Sequence, residues 1–362
     1  MRIGRGQGLK KKRRLLAGKR DAKGIGPAKI KRVCGCRMRL LLGMCVLALL
    51  LLPRPLAAQV LSDAVLNSTV WISYEVTPAA TDAGRLQVRP PEAPPSRPAQ
   101  TEVYGGTGFL FFQGVGIGKG RIFLVTNKHV LPPEGKQQDI KVRVAVRDKD
   151  GAARVEAVTV PVVGKDGKYL DSVRLHPDPD TDVAAVNIAM EAFGAKFQLL
   201  IDALMTGKYL NTSMLMTSER IRSSNIGMGS PVYIIGFPDA IFDPRNVSPV
   251  LRAGIIATDP REGFNFNEAL RRTIAFPEHV NGFLIDANIY PGSSGSLVVL
   301  GQDGQHSGPE AKRGDWQPTI LGIVAGSIPM LDASLHSYAR IGLGIVYSAD
   351  SIRDVIRLFD RR

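Results

Sequence analysis

Beyond residue 58, apolar residues fall in short runs rich in Val, Ile and Phe, each broken by Gly or Pro, which is the signature of strands rather than helices. In the front half the runs predict strands at 70–76, 108–112, 121–126, 142–146, 155–163 and 183–188. The back half adds 232–235, 253–257, 283–286, 297–300, 320–324 and 344–347. Val142, Val144 and Val146 alternate with Arg143 and Ala145, as a half-buried strand requires. Two segments change period. Phe197, Leu200, Ile201 and Leu204 are spaced for a helix over 192–205, between the two sets of strands. Ile352, Val355, Ile356 and Phe359 form one apolar face near the end of the chain, with Ser348 or Asp350 placed to cap that helix. Residues 77–100 hold six of the 24 prolines and read as an extended loop. The pattern is that of an all-β protein with a terminal helix.

Composition alters this picture at one end only. The formal charge of +14 suggests a nucleic-acid or membrane partner, but it is local. Of 47 Lys and Arg and 33 Asp and Glu, residues 1–58 hold 16 and 1, a charge of +15, so the remainder is balanced at −1 and carries no nucleic-acid reading. Residues 40–52 are apolar apart from Gly43 and Cys45 and lead to Leu56-Ala57-Ala58. That is a signal-peptide pattern, and its 13-residue core is short for a membrane span, which needs about 20 residues. The expectation is a basic extension at 1–37, a signal peptide at 38–58 starting from Met38, and a mature chain from Gln59 that is exported to a bacterial periplasm or secreted, with no membrane anchor left. Cys34, Cys36 and Cys45 all precede that cleavage site, so the mature chain relies on its core rather than on disulfides.

The most informative string is Tyr290-Pro291-Gly292-Ser293-Ser294-Gly295-Ser296. A serine hydroxyl becomes a useful nucleophile when a base lies within hydrogen-bond reach and backbone N–H donors await the oxyanion. Glycine at 292 permits a turn in which its N–H and that of Ser294 share one target. Of five histidines, His129 ends the apolar run 122–125 and so sits at a strand end; the other four lie in polar segments and read as surface residues. No pair has metal-ligand spacing, and no cofactor or metal is expected. The acid that orients the imidazole is sought among Asp178, Asp180 and Asp182, and Asp182 is favoured because it runs directly into the apolar stretch 183–186.

With these residues in place the chain resembles the chymotrypsin-like serine peptidases, particularly their bacterial cysteine-free branch. Gly106-Thr107-Gly108-Phe109-Leu110 is similar to the family's first-barrel strand, and Thr126-Asn127-Lys128-His129-Val130 to its histidine motif, where Asn127 and Lys128 replace the usual small residues. Asp182-Val183-Ala184-Ala185-Val186 is similar to the aspartate motif, and Gly292-Ser293-Ser294-Gly295-Ser296 to the nucleophile motif. The order His, Asp, Ser matches, with gaps of 53 and 112 residues.

The resemblance implies two packed antiparallel β-barrels, lobes at 59–191 and 211–347 joined by 192–210, and a C-terminal helix at 348–362. It implies a serine endopeptidase that acts through His129, Asp182 and Ser294 by way of an acyl-enzyme, with Gly292 and Ser294 N–H as the oxyanion hole. Residues 322–327 would pair with an extended or unfolded polypeptide substrate, and Asn288, Ala325, Gly326 and Ser327 are candidates for the primary pocket. The alternative is a catalytically inactive, protease-like binding module. An α/β-hydrolase esterase is disfavoured, since it needs glycine two places after the serine, whereas Gly295 follows Ser294 directly.

Overall fold

The computed structural model describes residues 63–76, 102–116, 119–147, 153–188, 210–243, 245, 247–268, 271, 277–301, 318–332 and 337–360. The expected loop at 77–100 and helix at 192–205 lie outside these residues, as do His306 and His336. The described residues all belong to the unit Gln59–Arg362.

A short helix α1 (Asp63–Ser68) leads into β1 (Thr69–Val76). Then follow β2 (Glu102–Gly116), β3 (Lys119–Thr126), β4 (Gln138–Arg147), β5 (Ala153–Val163), β6 (Val173–Leu175) and β7 (Ala184–Ile188). These strands form one sheet in the order β5-β4-β1-β2-β3-β7-β6, with a two-residue β8 (Leu210–Asn211) parallel to β2. The sheet curls around Ile72, Leu110, Leu124, Ile140, Val142, Val160 and Val186. Among the described residues it does not close: β5 and β6 are its edges, and the turn after β5 folds back on it through a bridge between Val163 and Tyr169. Every front-half strand expected from the apolar pattern is present, most of them longer than the pattern indicated, because flanking polar residues still complete ladder hydrogen bonds.

The second lobe adds α2 (Ser218–Arg222), β9 (Pro231–Gly236), β10 (Val250–Ile256), a small ladder of β11 (Phe264–Asn265) with β12 (His279–Val280), β13 (Gly282–Asp286), β14 (Leu297–Leu300), β15 (Ile320–Asp332) and β16 (Ser337–Ser348). Six of these close into a barrel, β10-β13-β16-β15-β14-β9. Its interior holds Val232, Ile234, Phe283, Ile285, Val298, Leu321, Val324 and Val346. A third apolar cluster joins the lobes: Phe109, Phe123, Val183 and Ala185 from the first meet Leu297, Ile323, Ile345 and Tyr347 from the second.

The terminal helix α3 (Ala349–Arg357) packs Ile352, Val355 and Ile356 into that shared cluster. Ser348 holds the N-cap position with extended backbone, but its side chain caps nothing in the helix. Asp350, the other cap candidate, instead accepts the backbone N–H and the hydroxyl of Ser218 on α2, both at 2.6 Å. Its other oxygen pairs with Arg353 one turn further along α3 at 2.7 Å, so the carboxylate serves its own helix as well as α2.

Candidate active site

Ladder register brings the first two residues together. β3 and β7 are antiparallel with Thr126 opposite Ala184, so the residues just past the end of β3 and just before β7 emerge at the same end of one pair of strands. A single 3₁₀ turn, Lys128–Val130, follows β3 and is anchored by buried Val130 and Leu131. Asp182 enters the same corner ahead of buried Val183. The Asp182 carboxylate then grips His129 twice, with Oδ2 2.5 Å from Nδ1 and Oδ1 accepting the His129 backbone N–H at 3.2 Å. This fixes the imidazole tautomer with Nε2 free to act as a base, and the ring stays 51% exposed, open to a reacting group.

Asp178 and Asp180 do not compete for that role. Asp178 closes its own turn, accepting from Asp180 N at 3.1 Å and from the Thr181 hydroxyl at 2.7 Å, and these bonds hold its carboxyl below the usual range. Asn127 and Lys128, the two departures from the family pattern, have partners on the same loop. Buried Asn127 donates to the Asp182 carbonyl at 2.6 Å, and Lys128 Nζ donates to the Asp178 carbonyl at 2.8 Å. Partial burial lowers the Lys128 ammonium from its ordinary value against the pull of Asp182, Asp178 and Asp180.

Ser294 stands in the loop between β13 and β14. Gly292 and Gly295 both take positive φ, +80° and +86°. A side chain at Gly295 would also meet the Thr107 carbonyl, so glycine is required there on two counts. Thr107 of β2 ties this loop to the first lobe. Its N–H donates to the Ser294 carbonyl at 2.8 Å, and its hydroxyl donates to the Gly292 carbonyl at 2.8 Å while accepting Phe237 N–H at 3.0 Å. The N–H groups of Gly292 and Ser294 have no acceptor among the described residues.

The Ser294 hydroxyl does not point at His129. It donates to the Ala325 carbonyl at 3.0 Å. That carbonyl is available because β15 bulges: Val324 pairs with Val346 and Gly326 with Ile345, leaving Ala325 between them without a partner residue on β16. Ala325 is the one specificity candidate that lines the cleft of about 780 Å³ beside His129 and Asp182, together with Tyr74, Leu131, Tyr169, Pro277 and Tyr347. Asn288 is exposed, and Gly326 and Ser327 are half-buried outside that lining.

Two residues of the site carried no signal in the sequence pattern. Tyr347, buried on β16, donates its hydroxyl to the Asp180 carbonyl at 2.7 Å. Burial, added to by the charges of Asp182, Asp178 and Asp180 and opposed by the Asp182 backbone, pushes its phenol up to about 12. His176 corrects the expectation of a surface residue. It is buried behind the Asp178–Asp182 turn, with Nδ1 accepting Asp178 N–H at 3.2 Å, and burial lowers its imidazole below the ordinary value. His279 is exposed, as expected. Among the described residues no group of three or more His, Cys, Asp or Glu is arranged to hold a metal ion.

Residues 106–308, more than half of the chain, match the family model described as a trypsin-like peptidase domain. No curated protein matches the chain. Solved structures similar to it include the Rv3671c protease of M. tuberculosis in an inactive form, 15% identical over 82% of this chain and 90% of that one, with a TM-score of 0.40. A thermostable serine protease, AL20, from an extremophilic microorganism is 12% identical over 83% and 100%, with a TM-score of 0.38. A scabies mite inactivated protease paralogue is 11% identical over 83% and 98%, with a TM-score of 0.40.

Proposed function

Because the chain belongs to the trypsin-like peptidase family, we propose that it is a serine endopeptidase whose triad is His129, Asp182 and Ser294. The observation that carries this reading is the double grip of Asp182 on His129 at the mouth of the cleft, with a serine held by two obligatory glycines on the facing lobe. In the first step the Ser294 hydroxyl turns from Ala325 to His129 Nε2, exchanging one acceptor for another at little net cost. His129 takes the proton as Oγ attacks the peptide carbonyl, and Asp182 stabilises the resulting imidazolium. The N–H groups of Gly292 and Ser294 receive the oxyanion. His129 then protonates the leaving amine, and water releases the acyl group from Ser294 by the reverse proton path.

The substrate is an extended or unfolded polypeptide added as a strand along 322–327, where its own N–H groups meet carbonyls such as that of Ala325. No acid stands at Asn288, Ala325, Gly326 or Ser327, so small or medium apolar residues are preferred over Arg or Lys before the cleaved bond. The enzyme acts outside the cytoplasm after removal of residues 38–58, without cofactor or metal. Labelling of the purified chain from Gln59 with a serine-directed phosphonate, followed by peptide mapping, tests the reading. The label is expected on Ser294, and Ser294→Ala is expected to lose both label and at least about 10³-fold in kcat while keeping its fold. Undiminished hydrolysis by Ser294→Ala would overturn the triad.

A further inference from the structure

The turn that carries Asp182 is held from both sides of the cleft, and among the described residues one of its side-chain tethers comes from the lobe that carries Ser294. The carbonyls of Asp178, Asp180 and Asp182, alternate residues of one turn, each accept a side-chain donor: Lys128, Tyr347 and Asn127 in turn. Asn127 and Lys128 immediately precede His129 in the first lobe, so these two bonds stay within the corner that carries the imidazole. Tyr347 belongs to β16 of the second barrel, opposite Ile323 of β15. Two residues further along β15 is Ala325, whose carbonyl holds the Ser294 hydroxyl. The β15–β16 pair therefore touches both the nucleophile and the turn that presents Asp182.

From this arrangement we infer that Tyr347 is a positioning residue for the triad, which sets the place of Asp182, and through it His129, relative to Ser294. The inference rests on the peptidase reading above and assigns a role to a residue that does not touch the reacting atoms. The converse tether is Thr107, which reaches from the first lobe to the nucleophile loop. Each lobe thus holds the other's catalytic segment by one buried hydroxyl, and neither hydroxyl titrates in the working range, since the phenol is pushed up to about 12. A donor that keeps its proton well above neutral pH holds the acid in register throughout the working range.

Tyr347→Phe keeps the ring and its packing and removes only the O–H, so the fold is retained. Turnover of a peptide substrate is expected to fall about ten- to hundredfold with KM little changed, because the misplacement affects the reacting geometry rather than substrate contacts. The acidic limb of the kcat/KM profile is expected to move to lower pH, as a less well-placed Asp182 stabilises the His129 imidazolium less. In an Asp182→Asn background the same substitution is expected to cost nothing further, since the tether acts through that carboxylate. An equal fold-loss in both backgrounds, or an unmoved kcat and pH profile in Tyr347→Phe, would overturn the inference. The downfield NMR proton of the His129 Nδ1–Asp182 bond gives a readout independent of turnover: it is expected to be sharp in the parent chain and exchange-broadened in Tyr347→Phe, and an unchanged signal counts against the tether. A parent chain that holds this proton but neither labels at Ser294 nor hydrolyses peptides would refute the peptidase reading while leaving the tether measurable.

Discussion

Thr107 shows how much a single hydroxyl can decide. It is fully buried, donates to Gly292, accepts from Phe237, and its carbonyl receives the Thr126 hydroxyl at 2.7 Å. Valine has the same shape but leaves the Gly292 carbonyl and the Phe237 N–H without partners in a buried corner. Each orphan costs about 1–3 kcal/mol. Thr107→Val is therefore expected to lower unfolding free energy by about 2–4 kcal/mol in urea titration and to reduce kcat, since the loop carrying Ser294 loses its fixed place. Serine at 107 keeps the hydroxyl and is expected to recover most of both. The glycines at 292 and 295 act in the same loop by a different means, a backbone with positive φ where no side chain fits.

At the scale of elements, the C-terminal segment is the clearest case of one piece serving two lobes. α3 follows directly on β16 of the second barrel, yet the turn after it lands on β3 of the first. Phe359 packs 5.0 Å from the Phe123 ring and under the Arg174 guanidinium at 5.3 Å, while Arg121 donates to the Phe359 carbonyl and pairs with Asp360 at 2.8 Å. The ion pair is partly exposed and contributes little, so the ring carries the docking. Phe359→Ala is expected to destabilise by about 3–5 kcal/mol in thermal or urea unfolding, whereas Asp360→Ala is expected to shift stability by less than about 1 kcal/mol. The bulge in β15 is the other element that matters, because a regular ladder there would commit Ala325 to β16 and leave the serine hydroxyl without its resting acceptor.

For the whole molecule, the loop carrying Ser294 is organised without a charged group ahead of that serine. Ser293 is buried, and its side-chain oxygen accepts the Tyr290 N–H at 3.4 Å. A neutral serine holds no buried ammonium, and an unpaired one would cost several kcal/mol. Adding residues before Gln59, or acetylating the α-amino group, is thus expected to leave kcat within about twofold, since a tenfold loss would demand about 1.4 kcal/mol of lost transition-state stabilisation; a large loss restored by specific proteolysis would refute this. Local periodicity and residue types a few positions apart suffice to read the strands, the terminal helix and the places of His129, Asp182 and Ser294 at strand ends and in a glycine-framed turn. Packing of the two lobes decided that the first sheet stays open among the described residues, that His176 is buried, that Asp350 binds Ser218 of α2 besides Arg353 of its own helix, and that Ser294 rests on Ala325. It also decided the two tethers between lobes, Thr107 to Gly292 and Tyr347 to Asp180, which join residues 185 and 167 positions apart. An apolar period tells which face of a strand is buried, but register and bulges choose the partner on the other side of the cleft, and those are settled only when the two lobes pack.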